Sequence, residues 1–177
     1  VSGQMIVGFG LALLLNRPIP YKGFITTLLL LPMMMSMAVV GLFWKLIYDP
    51  SWGPLNYALG LGDFAWLSDP NAALFAVALT DIWMWAPFVM LLSLAGLSAV
   101  PQHLYEAAAI DRAGTWYTFT RITLPLVMPI LLIALIFRTM EAFKTFDLPF
   151  IMSGQPTTEV VSIRLYKMAF QEWQTGM

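Results

Sequence analysis

Cysteine is absent from the 177-residue sequence, and histidine occurs once, as His103. No disulfide, thiolate zinc site or cysteine nucleophile can be built from such a chain, and a multi-histidine metal site is excluded with them. Charge is scarce as well: Asp, Glu, Lys and Arg supply 11% of the residues, against about 25% in an average soluble domain. Nine basic and ten acidic residues leave a net charge of −1. That balance offers no cationic surface to neutralise phosphates, so nucleic acid is not an expected partner. What is abundant is apolar: 59% of the residues are hydrophobic and the mean hydropathy is +0.76. Too little charge remains to coat a compact body in water, and membrane lipid is the expected solvent.

A bilayer core about 30 Å thick takes about 20 apolar residues as helix. Residues 23–47, 72–98 and 123–143 meet that requirement, and each is predicted to span. The first stretch, 1–16, is apolar but short, and neither an initiator Met nor a basic region precedes it. It is expected to be the remainder of a truncated span, and the chain a fragment lacking flanking helices. The 17–22 link carries Arg17 and Lys22 and no acid, whereas the 49–71 link carries Asp49, Asp63 and Asp69 and no base. The excess of basic residues in short cytoplasmic loops then puts 17–22 inside and 49–71 outside. Loop 99–124 becomes cytoplasmic and segment 144–177 external. The predicted fold class is all-α: a polytopic membrane helix bundle. In the external link, Pro, Gly, Asn and Asp mark turns around a short helix near 54–61, and Trp52, Tyr57 and Trp66 suit the membrane interface.

Loop 99–124 is too long and too structured for a plain connection. Pro101 can open a helix, the run Glu106-Ala107-Ala108-Ala109 favours one, and Gly114 offers a stop, with Thr115 as a cap for a second short helix. Helical spacing groups Leu104, Ala107, Ala108 and Asp111 on one face. Small alanines let another protein approach closely, and Glu106 beside them can pair with a partner's Arg or Lys. An amphipathic segment that only stabilises the bundle satisfies the same pattern.

The run Glu106-Ala107-Ala108, a glycine region, then Ile122-Thr123-Leu124-Pro125 resembles the coupling loop of permease subunits of binding-protein-dependent ABC importers. Further similarity to the carbohydrate branch, which includes maltose, trehalose and glycerol-phosphate permeases, lies in Leu13 to Pro18, Trp66 to Asn71, Asp81-Ile82-Trp83, Trp85 to Phe88, and Phe137 to Asp147. One position departs: the family's usual glycine, six residues after the Glu, is Arg112, with Gly114 two residues on. The resemblance implies a type I importer permease in a bacterial or archaeal inner membrane, translocating a sugar or sugar derivative. It implies four kinds of partner: a second permease subunit, a cytoplasmic ATPase dimer, an external solute-binding protein and the sugar. It also implies that Glu106, Ala107, Ala108, Asp111, Gly114, Ile122, Leu124 and Pro125 engage the ATPase. A permease for amino acids or phosphate, and a scaffold that recruits an ATPase without transporting, are the competing readings. The sequence lacks a Gly-x-x-x-x-Gly-Lys phosphate cradle, so the chain is expected to hydrolyse nothing and to hold no cofactor, ATP being bound by the partner.

Two sets of charges fall at or near membrane depth. Asp81 lies well inside the 72–98 stretch, where a carboxylate costs roughly 2.5–3.5 kcal/mol and must face protein or water. Arg138 and Glu141, three residues apart, can share a helix face and pair. With Phe146 and Asp147 they mix carboxylates and aromatics in a way suited to sugar hydroxyls and ring faces. These five are the candidate substrate-path residues. The stretch 150–159 resembles a shortened external loop where the binding protein docks, and a helix is predicted over 159–173.

Overall fold

A computed structural model describes residues 1–152 and 160–171. Every regular element among them is a helix: α1 (Ser2–Leu15), α2 (Lys22–Met34), α3 (Met37–Ile47), α4 (Pro54–Leu59), α5 (Pro70–Ser98), α6 (Gln102–Ile110), α7 (Thr115–Thr118), α8 (Leu124–Lys144), α9 (Asp147–Met152) and α10 (Val161–Tyr166). Two π-helical turns join this set, π1 (Phe119–Thr123) between α7 and α8, and π2 (Lys167–Gln171) after α10. The predicted loop at 150–159 falls mostly outside the described residues, as do both ends of the helix predicted over 159–173.

Two compact units divide the chain, Val1–Met33 with Trp85–Thr139, and Met34–Met84 with Met140–Met177. In the first, Ala12 and Leu15 of α1, Met90 and Leu97 of α5, and Val127 and Leu131 of α8 form a buried core. Close approach within it depends on small residues, as membrane helix packing does generally. A Cβ on Gly8 would lie 2.6 Å from the Ala86 carbonyl oxygen and from Val89 Cβ, and one on Gly96 would lie 3.1 Å from Val127 and Ile130.

In the second unit α3 packs on α9, with Gly41 against Ile151. The Tyr48 hydroxyl donates to the Ala76 carbonyl at 3.2 Å, and the Trp44 ring meets Trp83 edge-on with centroids 5.4 Å apart. The link between α3 and α5 is braced by the buried Asn56. Its amide donates to the Phe64 carbonyl at 2.9 Å, and its carbonyl accepts from Trp66 Nε1 at 2.6 Å. The short helix expected there is α4, closed by Gly60 at φ +65°.

Two boundaries differ from expectation. The stretch 23–47 is not one straight span: α2 and α3 meet at a break where the axis turns by 98°. Pro32 lacks an N–H to donate in the last turn of α2, and Ser36 starts a new helix by accepting the Val39 N–H at 3.3 Å. Hydropathy is blind to such a break because the flanking residues are all apolar. The second difference is that helix runs unbroken from Thr115 to Lys144, 30 residues, through α7, π1 and α8. Together with α5 this makes two helices, among the described residues, long and apolar enough to cross a bilayer. The second short helix expected inside loop 99–124 is therefore the leading end of this long one.

Candidate functional site

The predicted coupling residues come together in the first unit on α6, the turn after it and the start of the long helix. Pro101 sits before the first turn of α6 at φ −62°, ψ 131°, its fixed φ suited to the entry, and the helix begins at Gln102. Gly114 is not what stops α6. The Ala113 N–H bonds the Ala108 carbonyl at 2.9 Å and the Arg112 N–H bonds that of Ala109 at 3.1 Å. This is the paired closure of a Schellman turn, which requires a left-handed residue between them. Arg112 takes that role at φ +52°, a conformation costing an L-residue roughly 1–2 kcal/mol that glycine avoids. Gly114 instead precedes α7 at φ −65°, ψ 153°, extended backbone open to any residue, and no Thr115 side-chain cap forms.

The face that α6 turns to the bundle is Leu104, Tyr105 and Ala108, half-buried or buried. Ala107 and Asp111, expected with them, are exposed beside Glu106. The Tyr105 and Thr123 hydroxyls lie 3.0 Å apart, joining α6 to π1 on the wall of a groove of about 840 Å³. Ile122 and Leu124 are half-buried and Pro125 is exposed. Ile110 and Trp116 project with 82% and 76% of their surface free, leaving an apolar, acid-edged face uncovered within the chain. Neither the Arg112 turn nor the Tyr105 tie was among the expected features. The departure from the family's glycine was the available signal for the first, and nothing local pointed to the second.

The candidate substrate-path residues are divided between the two units. Arg138 belongs to the first unit and Asp81, Glu141, Phe146 and Asp147 to the second. Arg138 is 2% exposed. Its Nε donates to Gln4 Oε1 at 3.1 Å, and its guanidinium carbon lies 4.4 Å from the Trp85 ring centroid. The expected pair with Glu141 is absent, because Glu141 is exposed and takes Lys144 at 3.5 Å. The Arg138 guanidinium is buried and the Glu141 carboxylate exposed, so the two charges face different surroundings despite the spacing. Asp81 is half-buried in α5 and engaged with neighbours. Phe146 stacks on Phe150 at 5.0 Å and meets Tyr166 edge-on at 5.4 Å, while Asp147 opens α9, exposed.

An all-helical membrane domain carrying a braced helix–turn–helix loop is the architecture of an importer permease. Residues 4–176 match the family described as the binding-protein-dependent transport system inner membrane component, and the chain belongs to that family. It is 39% identical to the trehalose/maltose transport system permease of Thermococcus litoralis, over 99% of this chain and 60% of that protein. It is also 39% identical to the sulfoquinovosyl glycerol permease of Agrobacterium fabrum, over 94% of this chain and 55% of that one. Among solved structures, a bacterial ABC transporter that imports the acidic polysaccharide alginate superimposes with a TM-score of 0.80 at 26% identity, covering 95% of this chain and 62% of the other. The chain thus spans somewhat over half the length of the curated relatives it matches.

Proposed function

We propose that the full-length protein is one pore-forming subunit of an ATP-driven importer for a sugar or sugar derivative, crossing the inner membrane several times. The relatives' transport of trehalose, maltose and sulfoquinovosyl glycerol supports the substrate class. A second permease subunit, an ATPase dimer on the cytoplasmic side and an external solute-binding protein complete the assembly. The alginate transporter's complex with its sugar-loaded periplasmic protein supports the last of these. The chain itself hydrolyses nothing and needs no cofactor: ATP is bound by the partner.

One observation carries the reading. Helix α6 presents Glu106 and Ala107 outward while Tyr105 holds it to the start of a 30-residue apolar helix. A partner that grips α6 and moves therefore moves the spanning helix with it, since packed helices shift between discrete arrangements as rigid bodies. The alanines allow close seating and Glu106 gives the grip a charge to read. In membranes containing the full-length protein and its partner subunits, Glu106→Lys is expected to abolish ATPase co-purification and sugar-stimulated ATP hydrolysis while the membrane subunits still assemble. Unchanged capture and stimulation in that variant would remove the basis for the proposal.

A further inference from the structure

Beside the end of α3 the second unit holds a cavity of about 260 Å³, lined by Lys45, Tyr48, Asp49, Leu67, Ser68 and Met152 among others. Its frame is fixed from several sides. Tyr48 and Met152 are each 1% exposed, and the Tyr48 hydroxyl is committed to the Ala76 carbonyl. Asp49 Oδ1 accepts the Ser51 and Trp52 N–H groups at 2.9 and 3.0 Å. The Ser68 N–H closes a turn on the Ala65 carbonyl at 3.1 Å.

Lys45 and Asp49 are four residues apart, the spacing at which opposite charges pair along a helix. Both line the cavity, yet among the described residues no ion pair joins them, and Asp49 Oδ2 and the Ser68 hydroxyl carry no hydrogen bond. A cation entering is opposed by Lys45 and an anion by Asp49, so neither sign of charge suits the cavity alone. A hydroxyl suits both, because its oxygen accepts from an ammonium while its proton goes to a carboxylate. Leu67 and Met152 add an apolar wall for C–H groups beside this polar edge. The volume falls just under the roughly 300–1,000 Å³ of pockets for drug-sized ligands, as one sugar ring requires.

We infer that this cavity is a sugar subsite on the side expected to be external, seating one ring of the cargo between Lys45 and Asp49, with Ser68 as a third contact. It rests on the sugar-importer reading above. It is separate from the candidate substrate-path residues, none of which lines it.

The test uses the full-length protein with its partner subunits in phosphatidylglycerol nanodiscs, with trehalose and maltose as probes. The chain has no cysteine, so Ser68→Cys puts a reporter thiol at the cavity, and Ser51→Cys, outside its lining, puts a control in the same link. Maleimide labelling is read at each position by mass. A probe that the assembly takes up is expected to slow labelling at position 68 saturably, about threefold at twice its dissociation constant, and to leave position 51 unaffected. Adding Lys45→Met or Asp49→Asn to Ser68→Cys is expected to remove most of that protection. The asparagine carbonyl still accepts from Ser51 and Trp52, so the link keeps its shape, which an unchanged melting temperature checks. Protection that survives both substitutions, or uptake of a probe without protection at position 68, overturns the subsite and leaves the importer standing. Labelling slowed by added phosphatidylethanolamine and not by sugar overturns it in favour of a zwitterionic lipid headgroup. Uptake of neither probe removes the sugar reading and the subsite with it.

Discussion

The hydroxyls of Tyr105 and Thr123, eighteen residues apart in sequence, lie 3.0 Å from one another and tie the exposed loop helix to the leading part of the 30-residue apolar helix. The bond is half-buried, so water competes for it poorly, and its loss is felt locally rather than throughout the fold.

Tyr105→Phe keeps the ring and deletes the bond, at a cost of about 1 kcal/mol. The expected result is faster amide exchange over α6 with little change in exchange over α5. Transport coupled to ATP hydrolysis is expected to fall while ATPase binding persists, because the grip remains and the lever has slackened. Unchanged exchange in α6 would show that packing of Leu104 and Ala108 alone holds the loop.

Arg138 supports a second expectation. Arg138→Leu removes the donor to Gln4 and the cation over Trp85, and a charge-assisted bond of this kind is worth about 2 kcal/mol. Arg138→Lys recovers little, since an ammonium does not stack flat on the indole while donating sideways. Melting temperature in detergent is expected to drop in both. Intact melting with lost sugar uptake would instead assign Arg138 to the translocation path.

Two glycines of α1 give a matched pair. A methyl on Gly8 collides with the Ala86 carbonyl and Val89, while one on Gly10 meets nothing within 4 Å. Gly8→Ala is expected to destabilise the protein by roughly 1–3 kcal/mol by prising α1 from α5. Gly10→Ala should be neutral or stabilising by up to about 1 kcal/mol, through helix propensity. Equal melting temperatures for the two variants would contradict the close packing of α1.

Elements governed by hydropathy and local propensity were legible from the residues alone. The 72–98 span, the short helix near residue 54 and the helix after Pro101 all fall within a few residues of α5, α4 and α6. Features decided by distant contacts were not. Spacing pairs Arg138 with Glu141, yet Arg138 turns to a partner 134 residues away, on α1. The break at Ser36 was hidden by uniformly apolar neighbours, although Pro32 and a capping serine were both in view. At Arg112 the turn geometry comes from the backbone bonds of the neighbouring residues, and those bonds leave no trace in side-chain chemistry.

The π turn at Phe119–Thr123 fixes how the loop is indexed to the membrane helix. A π turn accommodates one more residue than an α turn, so everything before it is rotated by about 100° relative to an uninterrupted helix. The direction in which Thr115 to Thr118 faces is therefore stored as a count of residues rather than as any one side chain. Substitutions within the segment can be absorbed, whereas a single insertion or deletion there would spin the loop to a new bearing on its span.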